Sequence, residues 1–531
     1  MSRRPDAVAA SQVPALTYTL PTASGTLWLG LGPVAVGALA VTALAAVLLM
    51  LTGAPLWLAV TVTVIGAATG LWPVAGRSIL QWLPVAVQHA TGRVTGRAVW
   101  TTASDTGGVA GLSLESGSEE GYLEIGRARG HGRQPHTSRL ALPRGWGRLH
   151  IAQAAPDVAL IGNRSRGTST VVLAVTGTGT FGLLDPHAQD SELSRWGGSL
   201  ATLLALPRLR HLQWLTHTRP QSLPAAADLT GPDLNGSGLN GSGLNGPDLT
   251  GSGLNGSDLA ADYANLVRHT CSQALTHTHL LALTVTAEDP ELVRSTVRQA
   301  SATLLAADLL CCPISPDELP RLLRLLLDPA LPDATLSDLG TGRRNSITHT
   351  AARSPQAPAL SLRTGWSSCQ TDDTHHRAYA ITGWPRLPLP ADWLAPLLHH
   401  PPEPGTARTL TVHARPVSPQ HASRRARASA AKARLDSADR QRLGFTADAG
   451  SALDVADAEH TEGELLAGYR MADLTALTVL HAPDLRSLDA SARDLTALTV
   501  SQRIDLRPLH GQHHHALGAA LPLGKQPGGR S

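Results

Sequence analysis

The histidines are the residues whose type and spacing first suggest chemistry. The chain contains 23 of them, and several are neighbours or alternate along the chain. A zinc site or a general acid–base pair needs such histidines to combine with Asp, Glu or Cys at a spacing such as HExxH. None of the clusters has that partner, so we predict polar surface residues, with no metal ligand and no catalytic residue. The clusters are His277 with His279, His375-His376, His399-His400 and His513-His514-His515.

Two glycine-containing stretches match nucleotide-binding loops only in part. GTGTFG (177–182) follows a predicted strand, but a dinucleotide loop needs a helix to open at once, and LLDPHAQD follows instead. We expect a hairpin turn there. GAALPLGKQ (518–526) has one residue too many between its glycines for a phosphate loop, and Gln526 stands where a magnesium-binding Ser or Thr is needed. We therefore predict no bound cofactor and no enzyme activity.

The most basic predicted element is a helix over 419–443. Ser418 and Pro419 form its start, and it ends before Gly444. Its basic side chains either form an ordinary solvated face or dock onto an acidic partner surface or anionic lipid. The candidate docking residues are Arg424, Arg425, Arg427, Lys432 and Arg434.

Composition limits the classes of partner and the number of domains. A chain of 531 residues is expected to form two to four domains. With 16% charged residues and a net charge of +3, it lacks the basic excess of nucleic-acid-binding proteins, so no direct sequence-specific nucleic-acid binding is expected. The four cysteines have no CxxC spacing, which indicates reduced cytoplasmic thiols rather than disulfides or zinc ligands.

A charge-free stretch extends from Thr26 to Gly76 and contains two apolar runs, 27–51 and 56–75, separated by a Gly-Ala-Pro turn. Each run reaches the length of about 20 residues that a bilayer core requires. Arginines flank the stretch on both sides and are missing from the turn, which predicts that both ends face the cytoplasm. We therefore predict a two-pass protein of the bacterial cytoplasmic (inner) membrane, with membrane lipids among its partners. A buried helical hairpin in a soluble protein is the alternative.

The remaining chain alternates strand-like and helix-like patterns, which predicts α+β cytoplasmic domains, layered and built of ferredoxin-like β-α-β pieces, behind the two-helix transmembrane hairpin. The predicted parts are a cytoplasmic N-terminal tail (1–25), the hairpin (26–76), an interfacial helix and loop (77–138), a first α+β domain (139–222) completed by 261–337, a low-complexity linker (223–260), an irregular linker (338–372), a second α+β domain (373–525) and a disordered tail (526–531).

Leucine recurs at every fifth position through residues 228–259. Seven such units make fewer than two coils of a pentapeptide β-helix, and their Gly, Ser, Pro and Asn content opposes ordering. A flexible linker is favoured over a short β-helical stub. The heptapeptide DLTALTV occurs twice, and we predict strand for 473–479 and mainly the end of a helix for 494–500.

Several stretches, taken in order, resemble one family. They are GRSILQWLP after the apolar hairpin, STVVLAVTGTGTFGLLD with SRWGGSLATLL and HLQWLTHTRP, RAYAITGWPRLPLPADWLAPLL with TLTVHARPV, and the ending IDLRPLHGQHHHALGAALPLG. Together they resemble the membrane-anchored conjugation proteins of actinobacteria. Those proteins are similar to the N-terminal part of the type IV secretion ATPase of the VirB/TraC/TrbE type, fused behind a two-helix inner-membrane subunit. The 228–259 repeat departs from the family pattern.

This resemblance implies an inner-membrane scaffold of a conjugative or type IV secretion apparatus, which docks a separate ATPase and other membrane subunits. In the ATPase, the phosphate-loop domain follows the LPLG ending, where this chain stops, so we expect the motor to be another polypeptide. The alternative is a type VII secretion envelope component, which also can begin with two helices before a cytoplasmic domain. A membrane-tethered hydrolase or transferase is a third, weaker hypothesis.

Overall fold

A computed structural model describes five stretches of the chain: 33–101, 138–220, 275–330, 358–442 and 449–527, with short breaks at 54, 72, 75–76, 97, 141, 144, 178–180, 287–288 and 386–388. The predicted N-terminal tail (1–25) and the predicted linker (223–260) lie outside the described residues, and the expectations for them stay predictions.

The described helices differ widely in length. They are α1 (Pro33–Leu51), α2 (Leu56–Leu71), α3 (Ile79–Val94), α4 (Pro186–Leu204), α5 (Pro290–Leu305), α6 (Leu319–Leu327), α7 (Ala395–His399), α8 (Pro419–Arg442), α9 (Ala449–Leu466), α10 (Leu485–Ser501) and α11 (His513–Ala520).

The described strands are mostly longer in the middle of the molecule than at its margins. They are β1 (Pro73–Val74), β2 (Arg77–Ser78), β3 (Val99–Thr101), β4 (Ser138–Arg139), β5 (His150–Ala155), β6 (Val158–Asn163), β7 (Thr168–Thr176), β8 (Leu209–Pro220), β9 (Leu275–Val285), β10 (Leu310–Pro313), β11 (Ser361–Thr364), β12 (Cys369–Thr371), β13 (Thr374–Gly383), β14 (Ala407–Pro416), β15 (Ala472–Ala482) and β16 (Asp505–Pro508).

The N-terminal helices α1 and α2 pack against each other as a hairpin. Among the described residues, no helix combines the length and the apolar character needed to cross a bilayer. The 19 residues of α1 span about 28 Å and the 16 residues of α2 about 24 Å, against a hydrocarbon core of about 30 Å. The predicted transmembrane hairpin is therefore wrong, and so is the predicted two-pass location in the bacterial cytoplasmic membrane.

Fourteen strands form one antiparallel sheet, and β1 and β2 form a separate small ribbon. From one edge to the other the order is β4-β5-β6-β7-β9-β8-β14-β15-β13-β12-β11-β3, with β10 pairing β7 and β16 pairing β13. The fold-class prediction of α+β domains behind a membrane hairpin is wrong, because strands from both predicted domains belong to this sheet. Periodicity in the sequence predicts where strands are, but it does not say which strand pairs with which.

The sheet consists of two halves with the same connectivity. In the N-terminal half, the chain runs β7-α4-β8-β9-α5-β10, and the strands lie in the order β10-β7-β9-β8. In the C-terminal half, β13-α7-β14-β15-α10-β16 repeats this path, and the strands lie in the order β16-β13-β15-β14. Each path is a β-α-β-β-α-β unit. The halves meet edge to edge where β8 pairs β14, which makes the whole sheet pseudo-twofold.

Equivalent residues support this internal repeat. The ends of β8 and β14 read THTRP and VHARP, so that His217 corresponds to His413 and Arg219 to Arg415. Asp289 and Asp484 hold the same cap position before α5 and α10, and each accepts a hydrogen bond from a backbone N–H of the helix that follows. The likeness lies in few residues, and in the C-terminal unit helices α8 and α9 stand between the second and third strands.

Three groups of buried apolar side chains hold the layers together. One face of the whole sheet packs against α6 and α11, through residues such as Leu215, Val479 and Leu517. On the opposite face, α4 and α5 cover the N-terminal half, and α7 and α10 cover the C-terminal half. We call the face under α6 and α11 the shared face, because both halves contribute to its core.

Helix α3 packs onto the body of the protein through a cluster of rings. The ring of Trp82 lies 5.8 Å from those of Trp366 and His510, and Val85 is buried beside Gly511. The sequence predicted an interfacial helix in this region, whereas the ring of Trp82 contacts the turn between β11 and β12. Tilted contacts with Trp366 and His510 supply the apolar surroundings that the indole requires.

Among the predictions for single elements, some are confirmed and others are wrong. The two DLTALTV copies are confirmed, since the first lies in β15 and the second in α10. Helix α4 begins at Pro186 with Asp185 as its cap. Phe181–Leu183 form a short 3₁₀ helix, within a stretch where a hairpin turn was predicted. Residues 361–371, within the predicted irregular linker 338–372, contain β11 and β12.

Candidate functional site

The predicted docking residues all lie on α8, which pairs with α9 in an antiparallel hairpin. Alanine and arginine favour helix, and Ala422, Ala426 and Ala430 form a buried stripe with a spacing of four residues. On α9, Ala458 is buried as well. Because these side chains are small, the two helices pack closely, and the longer basic side chains of α8 project away from the contact.

Arg425 and Arg434, among the candidate residues, form ion pairs with described residues of the protein. Arg425 pairs with Asp473 at the start of β15, and Arg415 binds the other oxygen of the same carboxylate at 2.7 Å. Partial burial pushes the pKa of Asp473 upward, but the hydrogen bonds from these arginines hold that pKa below its usual value. Arg434 pairs with Glu459 of α9 at 2.9 Å. These contacts fix the base and the middle of the hairpin.

Arg424, Arg427 and Lys432 are exposed on the outer surface of the same helix. Arg424 and Arg427 lie three residues apart, which places them on one side of α8. A guanidinium group can bind a carboxylate in a bidentate manner. Two such groups on one side of a helix are therefore suited to an acidic surface.

The second polar feature is a hydrogen-bonded chain across five adjacent strands of the shared face. His217 Nδ1 contacts Thr409 Oγ1 at 2.9 Å, and Thr409 Oγ1 contacts His481 Nε2 at 2.8 Å. His481 Nδ1 lies 2.9 Å from His376 Nδ1. The other ring nitrogen of His376, Nε2, contacts Thr371 Oγ1, which is the last member of the chain. The strands are β8, β14, β15, β13 and β12, in the order of the sheet.

Next to this chain, a second polar group bridges β8 and β14. His211 Nε2 lies 2.9 Å from His413 Nδ1, with the two rings stacked. Gln213 donates to Thr411 Oγ1 at 3.1 Å and to the carbonyl of Ala519 in α11 at 3.1 Å. All of these side chains are buried. They tie the two halves of the sheet to each other and to the end of α11.

Burial keeps these histidines neutral. It lowers the pKa of His481 and of His413 to about 3, the latter with help from His211, and it lowers the pKa of His211 to about 4. Burial, then His481 and Arg219, lowers the pKa of His217 as well. A general base near neutral pH needs a pKa near 7 and access to substrate. These rings have neither, so their role is structural.

Lys525, considered above for a phosphate loop, is used in the fold. Its ammonium group donates to the carbonyl of Gly145, and burial followed by the charge of Arg166 lowers its pKa to about 8. The preceding Gly524 has a φ of +69° and lies against Thr170 and Thr284. The segment after α11 is thus packed onto the N-terminal half of the sheet.

The His, Cys, Asp and Glu side chains are also the residues that could bind a metal ion. In the described stretches, no three of them come together in a way that could hold a metal ion. The thiol of Cys369 is fully buried, and burial raises its pKa strongly. A buried thiol of this kind is inert as a nucleophile.

Sequence reasoning misplaced several histidines. His376 and His513 are buried in clusters that were predicted to lie on the surface, and His211, His217, His413 and His481 were not singled out. One signal was present for three of them: His217, His413 and His481 each lie in a strand, two positions from an apolar or threonine residue that shares their side. That alternation suggests a buried face for the ring.

Comparison with known proteins adds no family to this description. No protein-family model matches the chain, and a comparison with curated proteins finds no relative.

Proposed function

We propose that this protein is a docking component of a bacterial conjugative or type IV secretion apparatus, which holds a separate ATPase and catalyses no reaction itself. The observation that carries the proposal is the exposed basic side of α8, at Arg424 and Arg427, on a hairpin that Arg425 joins to the sheet through Asp473 and whose two helices Arg434 and Glu459 link. The resemblance of the sequence to conjugation proteins suggests which apparatus is involved.

The distribution of polar groups supports a binding role over a catalytic one. The histidines and threonines of the shared face are hydrogen-bonded to one another in the interior. The basic side chains of α8 are exposed, and they sit on a helix whose position is fixed by Asp473 and Glu459. A rigidly held charged surface raises the local concentration of a partner without taking part in chemistry.

The test is co-purification of the apparatus ATPase with the full-length protein. We expect retention of the ATPase by the wild type at low salt, a fall in retention as salt rises, and loss in the double variant Arg424→Glu/Arg427→Glu. The matched control is Arg486→Glu/Arg493→Glu, because both arginines are exposed on α10 at the opposite face of the sheet. The control should retain the ATPase.

Two results would overturn the proposal. One is equal retention by the α8 variant and the wild type. The other is saturable ATP hydrolysis by the purified protein alone that is lost on changing Lys525. Recovery of small WxG-type secretion substrates in place of a conjugation ATPase would replace the assignment by a type VII system.

A further inference from the structure

The contact between β8 and β14 joins the two halves of the sheet, and it is unusually rich in buried histidine. We call it the seam. Its strands pair directly from Leu212 with Ala414 to Thr218 with Arg408. On the shared face, His211 of the N-terminal half contacts His413 of the C-terminal half at 2.9 Å. Further along, His217 contacts Thr409 at 2.9 Å. Each of these bonds therefore crosses from one half to the other.

A neutral histidine pair has one shared proton between its facing nitrogens, and the outer nitrogens then differ. Either His211 Nδ1 or His413 Nε2 carries no proton, depending on which of the two rings donates the hydrogen bond. Neither of these outer atoms has a hydrogen-bond partner within the described stretches. One added proton would place a cation in the interior, and a second added proton would place two cations side by side, which costs far more than it returns without a counter-ion.

The charged groups near the seam do not supply that counter-ion. On β14 and β15 the nearest are Arg415 and Asp473, and the single carboxylate already binds Arg415 and Arg425. On β8, Arg219 follows His217 on the same side of the strand, and His481 of β15 faces His217. On β9, the residue opposite His211 is Thr284, which is uncharged. Above the seam, α11 offers carbonyls to Gln213.

We propose that the seam is an acid-sensitive joint, at which protonation of His211 and His413 separates β8 from β14 while each half keeps its own helix-covered core. The joint adds a regulatory property that does not depend on the docking role proposed above. Opening exposes the paired edges of the two β-α-β-β-α-β units and disconnects them mechanically.

On the face opposite the shared face, each half has its own helix-covered core, whereas the core of the shared face joins both halves and would have to part when the seam opens. Helices α4 and α5 cover an apolar core in the N-terminal half, and α7 and α10 cover another in the C-terminal half. Neither of these cores contains a buried histidine pair. Across the shared face, by contrast, the polar contacts of His211, Gln213 and His217 are all made with the C-terminal half.

Hydrogen exchange of the full chain at pH 7.5 and pH 5.5, corrected for intrinsic rates, tests the joint. Each buried histidine that gains its ordinary pKa on opening should favour the open form about tenfold at pH 5.5, and the pair about a hundredfold. We expect peptides from β8 and β14 to lose that much protection while those from β7 and β13 lose little. Uniform loss across all four strands, or no loss in any, would overturn the proposal.

Variants separate the histidine pair from general acid effects. His413→Gln keeps a hydrogen-bonding side chain but removes one titrating group, so the change in seam protection should fall to about tenfold. His211→Gln should behave in the same way, which gives a second chance if one variant does not fold. His421→Gln on α8 is the control, because this ring is exposed, and its exchange should match the wild type. If seam peptides lost protection at pH 5.5 to the same extent in all three variants, the proposal would be refuted.

Discussion

Lowering the pH should unfold this protein by protonating buried histidines. Three of the buried histidines are considered first. Burial lowers the pKa of His211 to about 4 and the pKa values of His413 and His481 to about 3. In the unfolded chain each returns to about 6.5. Below pH 6.5 the unfolded state therefore binds protons that the native state refuses, and stability falls as the pH falls. Above pH 6.5 both states are neutral, and this contribution is fully present.

The magnitude follows from the difference between these pKa values. Each pH unit below 6.5 costs about 1.4 kcal/mol for each histidine until the native pKa is reached. At pH 5.0 that is about 2 kcal/mol for each ring and about 6 kcal/mol for the three. Since a folded protein is stable by only about 5–15 kcal/mol, the loss is large enough to bring the protein close to its unfolding midpoint.

The assay is urea denaturation followed by circular dichroism at several values between pH 7.5 and 5.0. The free energy of unfolding should be nearly constant above pH 7 and then decline with a slope of at least about three protons, because burial also lowers the pKa values of His217, His376, His513 and His514. His481→Gln should reduce that slope by about one proton, although its stability at pH 7.5 will be lower. A decline of less than about 1 kcal/mol down to pH 5.0 would show that the rings are charged or solvated in the native state.

Three substitutions test the packing directly, each by urea denaturation at pH 7.5. Gly524→Ala should cost about 2–3 kcal/mol, because its Cβ would overlap Thr170 and its φ is positive; Gly463→Ala on α9, where a Cβ meets nothing, should be neutral or stabilising. Leu203→Ala should cost about 2–5 kcal/mol, since this fully buried side chain fills the core under α4, and a cost below 1 kcal/mol would contradict that packing. Asp289→Ala should cost about 1 kcal/mol through loss of the cap on α5, and an unchanged stability would count against the cap.

Strong local signals in the sequence were sufficient for individual elements. The run TSTVVLAVTG predicted β7, and Ser418-Pro419 together with Gly444 predicted the limits of α8 within two residues. The repeated DLTALTV shows where local information ends, since identical residues form a strand in β15 and a helix in α10. Tertiary packing decides between the two conformations.

The pairing of the strands could not be predicted from local sequence patterns. Pairing of β8 with β14 depends on residues nearly two hundred positions apart, and no motif marks them except the short THTRP and VHARP ends. The transmembrane hairpin was predicted from hydropathy alone. Hydropathy describes the polarity of the side chains and does not determine the residue at which a helix begins. For the candidate site, charge patterning identified α8, but which arginines pair within the protein depends on Asp473 and Glu459, far along the chain.

The antiparallel seam has a geometric consequence for whatever the protein carries. Its register sets the end of β14 at Pro416 opposite the start of β8 near Arg210, whereas β8 itself ends at Pro220. About ten residues of strand, roughly 33 Å, separate the two exits. The α8–α9 hairpin, which follows Pro416, and the end of β8 at Pro220 therefore lie at opposite ends of the seam. A partner bound to α8 would sit about 33 Å from the far end of β8.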